Sequence, residues 1–170
     1  AGILGFSLFA RDVVFALKED MQVDWLTVDE FYEKNGDTKA ILFGFTFLVW
    51  NSFIKEIINR GRVLAFRDAV LIHGGGWKRM ADEKISNNVF KETVERAIGI
   101  TKVHNYYGMV EQTGSIFFEC EQGYLHVPNV ADISVVDQEF NACDFGVTGV
   151  IKLCSVLPTS YPGNVILTDD

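Results

Sequence analysis

Short apolar runs recur at regular intervals along the first two thirds of the chain. Continuous apolar residues at 13–17, 40–43, 69–72 and around Val103 are typical of strands that are buried on both faces of a sheet. Between these runs, apolar residues recur at the three- and four-residue spacing of an amphipathic helix. Strands that alternate with helices predict an α/β fold, with Rossmann-like βαβ units in a parallel sheet flanked by helices.

Capping residues predict where these helices begin and end. Thr27 opens a capping box for a first helix, which Gly36 ends. Thr46 is the predicted N-cap of a second helix, which ends at Gly61. Gly99 is the predicted C-cap of a third helix.

After Gly114 the pattern changes to an alternation of apolar and polar residues with a period of two. Segments of this kind lie at 115–120, 124–127, 133–136 and 150–156, and a glycine-containing turn separates the first two. We therefore expect the parallel sheet to continue into antiparallel β-hairpins.

Length and composition are those of one packed domain. The 170 residues are enough to bury a sizeable core, and we expect an α/β part at 1–114 and a β-rich part at 115–170. Hydrophobic residues make up 48% of the sequence, which favours a packed protein over a disordered one. The net charge of −8 provides no basic field for nucleic acid, so nucleic acid is not an expected partner.

Neither the apolar start nor the cysteines indicate an extracellular or membrane protein. The apolar run at 3–9 is too short to span a bilayer, and it lacks the basic leader of a signal peptide. The odd number of cysteines and their lack of metal-ligand spacing argue against a disulfide framework and a zinc site. We expect a cytoplasmic protein in which Cys120, Cys143 and Cys154 are small buried hydrophobic residues.

A glycine-rich segment, His-Gly-Gly-Gly-Trp-Lys at 73–78, directly follows a predicted strand. Glycines let the backbone approach a ligand closely at the carboxyl edge of a parallel sheet. A loop that merely needs positive φ angles would have the same composition. His-Gly-Gly-Gly also occurs in the oxyanion holes of esterases, but the chain has no G-x-S-x-G nucleophile segment, which argues against a hydrolase.

Two further segments end predicted strands with chemically useful side chains. The sequence Asn-Tyr-Tyr-Gly-Met-Val-Glu at 105–111 offers aromatic rings that could stack on a base and a carboxylate that could hold Mg²⁺. Alternatively, the tyrosines belong to the core and the carboxylate is a solvated charge. The sequence Thr-Asp-Asp at 168–170 could bind a ribose diol, or its carboxylates could simply be solvated.

In this order the three segments resemble the motifs of the adenylate-forming ligases. Those enzymes have a glycine loop, then an aromatic-Gly-x-Thr-Glu loop, then Thr-Gly-Asp. The longer sequences at 71–78, 106–117 and 157–163 resemble those of the LuxE-type acyl-protein synthetases. The likeness spans nearly the whole chain.

This resemblance implies roles for individual residues. Tyr107 would stack on adenine, Asp170 would bind the ribose hydroxyls, and Glu111 would be the catalytic residue that coordinates Mg²⁺ at the phosphates. The glycine loop would line the adenine and acyl pockets. The residues implied for nucleotide binding are Gly74, Gly75, Gly76, Tyr107, Gly108 and Asp170.

The same resemblance implies a reaction. A fatty acid or another small carboxylate would attack the α-phosphate of ATP to give an acyl-adenylate and pyrophosphate, with Mg²⁺ spreading the phosphate charge. The acyl group would then pass to a cysteine thiol. In bioluminescence, the family passes it to an acyl reductase that makes a fatty aldehyde.

The sequence also departs from the family pattern. Val110 stands where most adenylate-forming enzymes have Thr, and Asp169 stands where they have Gly. The family's phosphate loop and C-terminal lid domain have no counterpart in the chain, so we expect part of an adenylation domain that is inactive by itself. The alternatives are a phenylacetate-type acyl-CoA ligase, in which coenzyme A is the acceptor, and a nucleotide-binding module without turnover.

Overall fold

The structure, a computed structural model, describes residues 8, 10–77, 85–159 and 162–168. The chain divides into two compact units, Ala1–His104 and Asn105–Asp170, which are described separately below.

The first unit contains helices and parallel strands. Its elements in chain order are α1 (Trp25–Asn35), β1 (Lys39–Phe45), α2 (Thr46–Leu48), a π-helical segment (Val49–Ile54), α3 (Lys55–Asn59), β2 (Asp68–Gly74), α4 (Asn87–Ile98) and the first half of β3 (Lys102–Tyr107). The strand order is β1-β2-β3. Strands β1 and β2 pair in parallel, from Lys39 opposite Asp68 to Phe45 opposite Gly74. The predicted parallel pairing of the strands at 40–43 and 69–72 is therefore confirmed.

Apolar side chains from the helices pack against one another and against β2 to form the core of this unit. The core residues that are at most 2% exposed are Ile54, Ile57, Leu64, Leu71, Phe90, Val94, Ile98 and Ile100. Helix α4 is capped as predicted, since the left-handed Gly99 closes it.

The predicted first strand, at 13–17, is wrong. The side chains of Val13, Val14 and Phe15 are 47%, 45% and 65% exposed. Within this segment only Leu17 pairs, in an isolated bridge to Val23 that belongs to a short local turn. An apolar run becomes a strand only when its backbone finds a hydrogen-bonding neighbour.

The predicted start of the first helix is also wrong. Asp24 is the N-cap, and its carboxylate accepts a hydrogen bond from the Thr27 N–H at 3.4 Å. Asp is as good an N-cap as Ser or Thr, so the helix begins before the predicted capping box. Its end at Gly36 is confirmed.

The second predicted helix begins one residue earlier than expected. Phe45 holds the N-cap position, and Thr46 is the first helical residue. The helix then passes through the π-helical segment before it ends at Asn59, close to the predicted terminator Gly61.

The second unit is mainly antiparallel. It contains the end of β3, a 3₁₀ turn (Val110–Gln112), β4 (Phe117–Glu119), β5 (Leu125–His126), β6 (Ala131–Val136), β7 (Val150–Ser155) and β8 (Val165–Thr168). The strand orders are β3-β4-β5 and β6-β7-β8, and all these pairings are antiparallel. The predicted β-hairpins are therefore confirmed. Within the described part of the chain, no helix is long and apolar enough to cross a membrane.

Gly99 and Gly61 allow a controlled test of the packing at the end of α4. Both have left-handed φ angles, 74° and 62°. A Cβ on Gly99 would lie 3.1 Å from the Cα of Ala65, whereas no described atom lies within 4 Å of one on Gly61. Left-handed backbone should cost both alanine variants about 1–2 kcal/mol of unfolding free energy. Overpacking should cost Gly99→Ala about 1–3 kcal/mol more.

Urea unfolding of the two variants measures this difference. Equal losses in Gly99→Ala and Gly61→Ala would mean that the close packing at Gly99 contributes nothing.

Candidate functional site

The glycine loop begins at the carboxyl end of β2, in the first unit. Gly74 is buried at the end of the strand, and Gly75 and Gly76 follow with φ angles of 80° and 60°. A Cβ on Gly75 would lie 2.9 Å from Cδ1 of Phe45. The loop therefore does need positive φ angles, and at Gly75 it also needs the smallest side chain. Lys78 lies outside the described residues.

A buried Thr–His pair holds the start of this loop. The Nδ1 atom of His73 lies 3.0 Å from the Thr46 hydroxyl, which also lies 3.1 Å from the carbonyl oxygen of Gly74. A carbonyl can only accept, so the single hydroxyl hydrogen goes to Gly74, and Thr46 accepts the hydrogen on His73 Nδ1. The ring of His73 packs on Phe90, with 4.5 Å between the ring centroids.

Sequence reasoning missed the role of Thr46. Its only signal was its place before a helix, which suggested an N-cap. In the structure its hydroxyl instead ties β2 and the glycine loop to the start of α2.

In the second unit, two of the three candidate nucleotide segments come into contact. Tyr107 ends β3, and its ring packs edge-on against Phe117 with 5.9 Å between centroids. Its hydroxyl lies 3.5 Å from Oγ1 of Thr168, the last residue of β8. The aromatic-Gly segment and the start of the Thr-Asp-Asp segment are thus brought together. Asp170, the predicted ribose ligand, lies outside the described residues.

Tyr107 also lines a cavity of about 260 Å³ within this unit. The lining residues are Tyr107, Phe117, Leu125, Val127, Ile133 and Ile151. The Tyr107 hydroxyl is the only polar side-chain group among them. Such a cavity suits a flat ring or a hydrocarbon group better than a charged one.

Gly108 and Glu111 lie on the exposed loop that follows Tyr107. A Cβ on Gly108 would lie 3.0 Å from Cδ1 of Ile116, so the loop is tightly packed there. Glu111 occupies the middle of the 3₁₀ turn, and its side chain is exposed. The hydroxyl of Thr113 donates to the carbonyl oxygen of Val110 at 2.9 Å and closes the turn.

The surroundings of Glu111 limit how it could hold a metal. Among the described residues, no group of three or more His, Cys, Asp or Glu side chains could hold an ion. Mg²⁺ is commonly bound through one or two carboxylates, water and the phosphates of a substrate. A single exposed carboxylate therefore fits a Mg²⁺ ion that arrives with a phosphate ligand.

The prediction that the cysteines are buried is wrong. Cys120, Cys143 and Cys154 are half-buried free thiols. In β7 the alternation buries Leu153 and Ser155 and leaves Cys154 on the other face. At Cys120 the hydrogen bond from the Tyr124 backbone lowers the thiol pKa, with smaller contributions from His126 and the Gln122 backbone, against an opposing effect of desolvation.

The sequence matches the model of a family described as acyl-protein synthetase, LuxE, over residues 2–170. Among curated proteins, none matches the chain.

Several solved structures resemble parts of this chain. The N-terminal subdomain of NpsA from Klebsiella oxytoca, in complex with 3-hydroxyanthranilyl-AMSN, has a TM-score of 0.51 at 15% identity, covering 86% of this chain and 39% of that one. Apo MbtA from Mycobacterium smegmatis has a TM-score of 0.47 at 18% identity. The match covers 76% of this chain and 22% of MbtA. Apo MatB from Rhodopseudomonas palustris has a TM-score of 0.48 at 12% sequence identity. The match covers 83% of this chain and 25% of MatB. The likeness to NpsA confirms the predicted α/β fold, and the chain spans less than half of each structure.

Replacement of Thr46 tests the tie at the glycine loop. Thr46→Val keeps the shape of the side chain but leaves His73 Nδ1 and the Gly74 carbonyl without their shared partner. We expect a loss of about 1–3 kcal/mol in unfolding free energy, because each of these buried polar groups then loses one hydrogen bond. Thr46→Ser keeps the hydroxyl and is the matched control. Chemical denaturation that finds the valine variant as stable as the serine variant would contradict this role.

Proposed function

The chain belongs to the LuxE family of acyl-protein synthetases, and on this basis we propose that it forms part of an ATP-dependent ligase that activates a carboxylate as an acyl-adenylate. The observation that carries the proposal is the approach of the Tyr107 hydroxyl to Thr168, because it joins two of the three candidate nucleotide segments within one unit.

We propose that the nucleoside part of ATP binds where Tyr107 approaches Thr168. Tyr107 is half-buried and lines the apolar cavity, where an adenine ring would stack in surroundings partly shielded from water. Asp170 follows Thr168 by two residues and is the proposed ligand of the ribose hydroxyls. Gly108 is a further proposed nucleotide-binding residue, and Gly74, Gly75 and Gly76 are the proposed lining of the adenine and acyl pockets.

The phosphate part is assigned to Glu111 together with Mg²⁺. The protein carries a net charge of −8, and an exposed carboxylate repels a triphosphate. A divalent cation between Glu111 and the phosphates would reverse that repulsion and neutralise the charge that moves to pyrophosphate. Glu111 lies on a closed turn, which positions the backbone from which its side chain extends.

The proposed chemistry is the one that the family resemblance implies. A carboxylate oxygen of the substrate forms a bond to the α-phosphorus of ATP. The bond between the α-phosphorus and the oxygen that bridges it to the β-phosphate breaks, and pyrophosphate leaves. A thiolate then attacks the acyl carbon, and AMP leaves. The family description favours a protein thiol over coenzyme A as the acceptor.

We propose a fatty acid as the substrate, an acyl reductase as the downstream partner in aldehyde supply for bioluminescence, and the cytoplasm as the location.

Calorimetric titration of ATP into the protein at its full natural length, with and without Mg²⁺, tests the two assigned side chains. Glu111→Gln should lose the gain in ATP affinity that Mg²⁺ provides, because the amide is a poorer metal ligand. Tyr107→Leu should weaken ATP binding by about 1–3 kcal/mol under both conditions, as expected for a base that stacks on an aromatic ring.

Glu121→Gln is the control, since it removes another exposed carboxylate of the same unit. It should behave like the unchanged protein. An undiminished effect of Mg²⁺ in Glu111→Gln would exclude Glu111 as the metal ligand, and an unchanged affinity in Tyr107→Leu would make that ring merely structural.

A further inference from the structure

Gln112 is completely buried although it sits on an exposed loop. Its side chain is 0% exposed, whereas its neighbours Glu111 and Thr113 are exposed. Burying an amide is unfavourable unless hydrogen bonds replace those it made to water. The partners of Gln112 therefore show what this residue holds.

Both hydrogens of the Gln112 amide are donated to backbone carbonyls. Nε2 lies 2.8 Å from the carbonyl oxygen of Gly163 and 3.2 Å from that of Leu153. Leu153 belongs to β7, and Gly163 lies two residues before β8. Because carbonyls only accept, the NH₂ group must face them, which fixes the orientation of the amide.

One side chain thus connects the two ends of the proposed nucleotide site. Glu111 directly precedes Gln112 on the 3₁₀ turn. The carbonyl of Gly163 leads into β8, whose last residue, Thr168, contacts Tyr107. The amide therefore ties the turn that carries Glu111 to the segment that leads into β8.

A second buried contact holds the same region. The hydroxyls of Ser115 and Ser155 lie 2.7 Å apart, and both side chains are buried. This bond joins the chain after the turn to β7, and the Ser115 N–H donates to the Gln112 carbonyl at 3.0 Å. The Ser155 hydroxyl itself bonds to the backbone of Val130 and Leu157 and not to the turn. Loss of the Ser155 hydroxyl therefore removes a buried hydrogen bond but keeps the bonds between Gln112 and its two carbonyl partners.

We propose that Gln112 is a positioning residue for the metal-bound phosphates, acting through Glu111. This inference rests on the proposed function. Gln112 touches neither nucleotide nor metal, and its effect comes from the placement of the carboxylate beside the phosphates. A displacement of about 1 Å at a reacting centre can lower a rate on the order of a hundredfold, so such a link matters even without direct contact.

The test compares Gln112→Met, which keeps the length of the side chain but donates no hydrogen bond, with Ser155→Ala. ATP is titrated into the full-length protein with and without Mg²⁺, well below the unfolding temperature of each variant. Gln112→Met should reduce the gain in affinity from Mg²⁺ by about tenfold or more, since that gain needs a correctly placed carboxylate. Its affinity for ATP without Mg²⁺ should not change. Ser155→Ala should lower the unfolding temperature and retain the full gain from Mg²⁺.

A full gain from Mg²⁺ in Gln112→Met would overturn the proposal, because a purely structural residue would give that result. Should the methionine variant not fold, Gln112→Asn, whose shorter amide cannot span both carbonyls, gives the same comparison. Absence of any Mg²⁺ effect in the unchanged protein would instead reject the proposed function, and the inference with it.

Discussion

The parallel, in-register pairing of β1 with β2 is the constraint on which the glycine loop depends. Because Phe45 stands opposite Gly74, the chain leaves both strands at the same edge of the sheet. The residue after β1, Thr46, therefore meets the residues at the end of β2, and its hydroxyl can bind His73 and Gly74 together. The same register places the ring of Phe45 against Gly75, which only a glycine can accommodate.

In the second unit, too, hydrogen bonds from side chains hold a loop in place. Its loop from Gly108 to Gly114 is exposed at Glu111, so hydrophobic burial cannot hold that carboxylate in place. The amide of Gln112 and the hydroxyl of Ser115 bind partners on or near β7 instead. Both units therefore use hydrogen bonds from buried polar groups to hold loops that carry exposed residues.

Local patterns in the sequence were enough to predict most of the framework. The runs at 40–43 and 69–72, the cap at Gly99 and the hairpin segments depend on periodicity and on backbone preferences that neighbouring residues determine. The run at 13–17 was misassigned because pairing of a strand depends on distant backbone, which composition does not reveal. The roles of Thr46 and Gln112 were missed for a related reason: a polar residue in a loop gives no sign that the fold will bury it. The nucleotide-binding roles themselves came from the resemblance and stay predictions.

Exchange of labelled pyrophosphate into ATP is the most direct test of carboxylate activation, because the exchange occurs only if an acyl-adenylate forms reversibly. With the protein at its full natural length and Mg²⁺ present, we predict exchange that depends on an added fatty carboxylate and stops when that carboxylate is omitted. A folded protein that exchanges no pyrophosphate with any carboxylate would contradict the proposed activity.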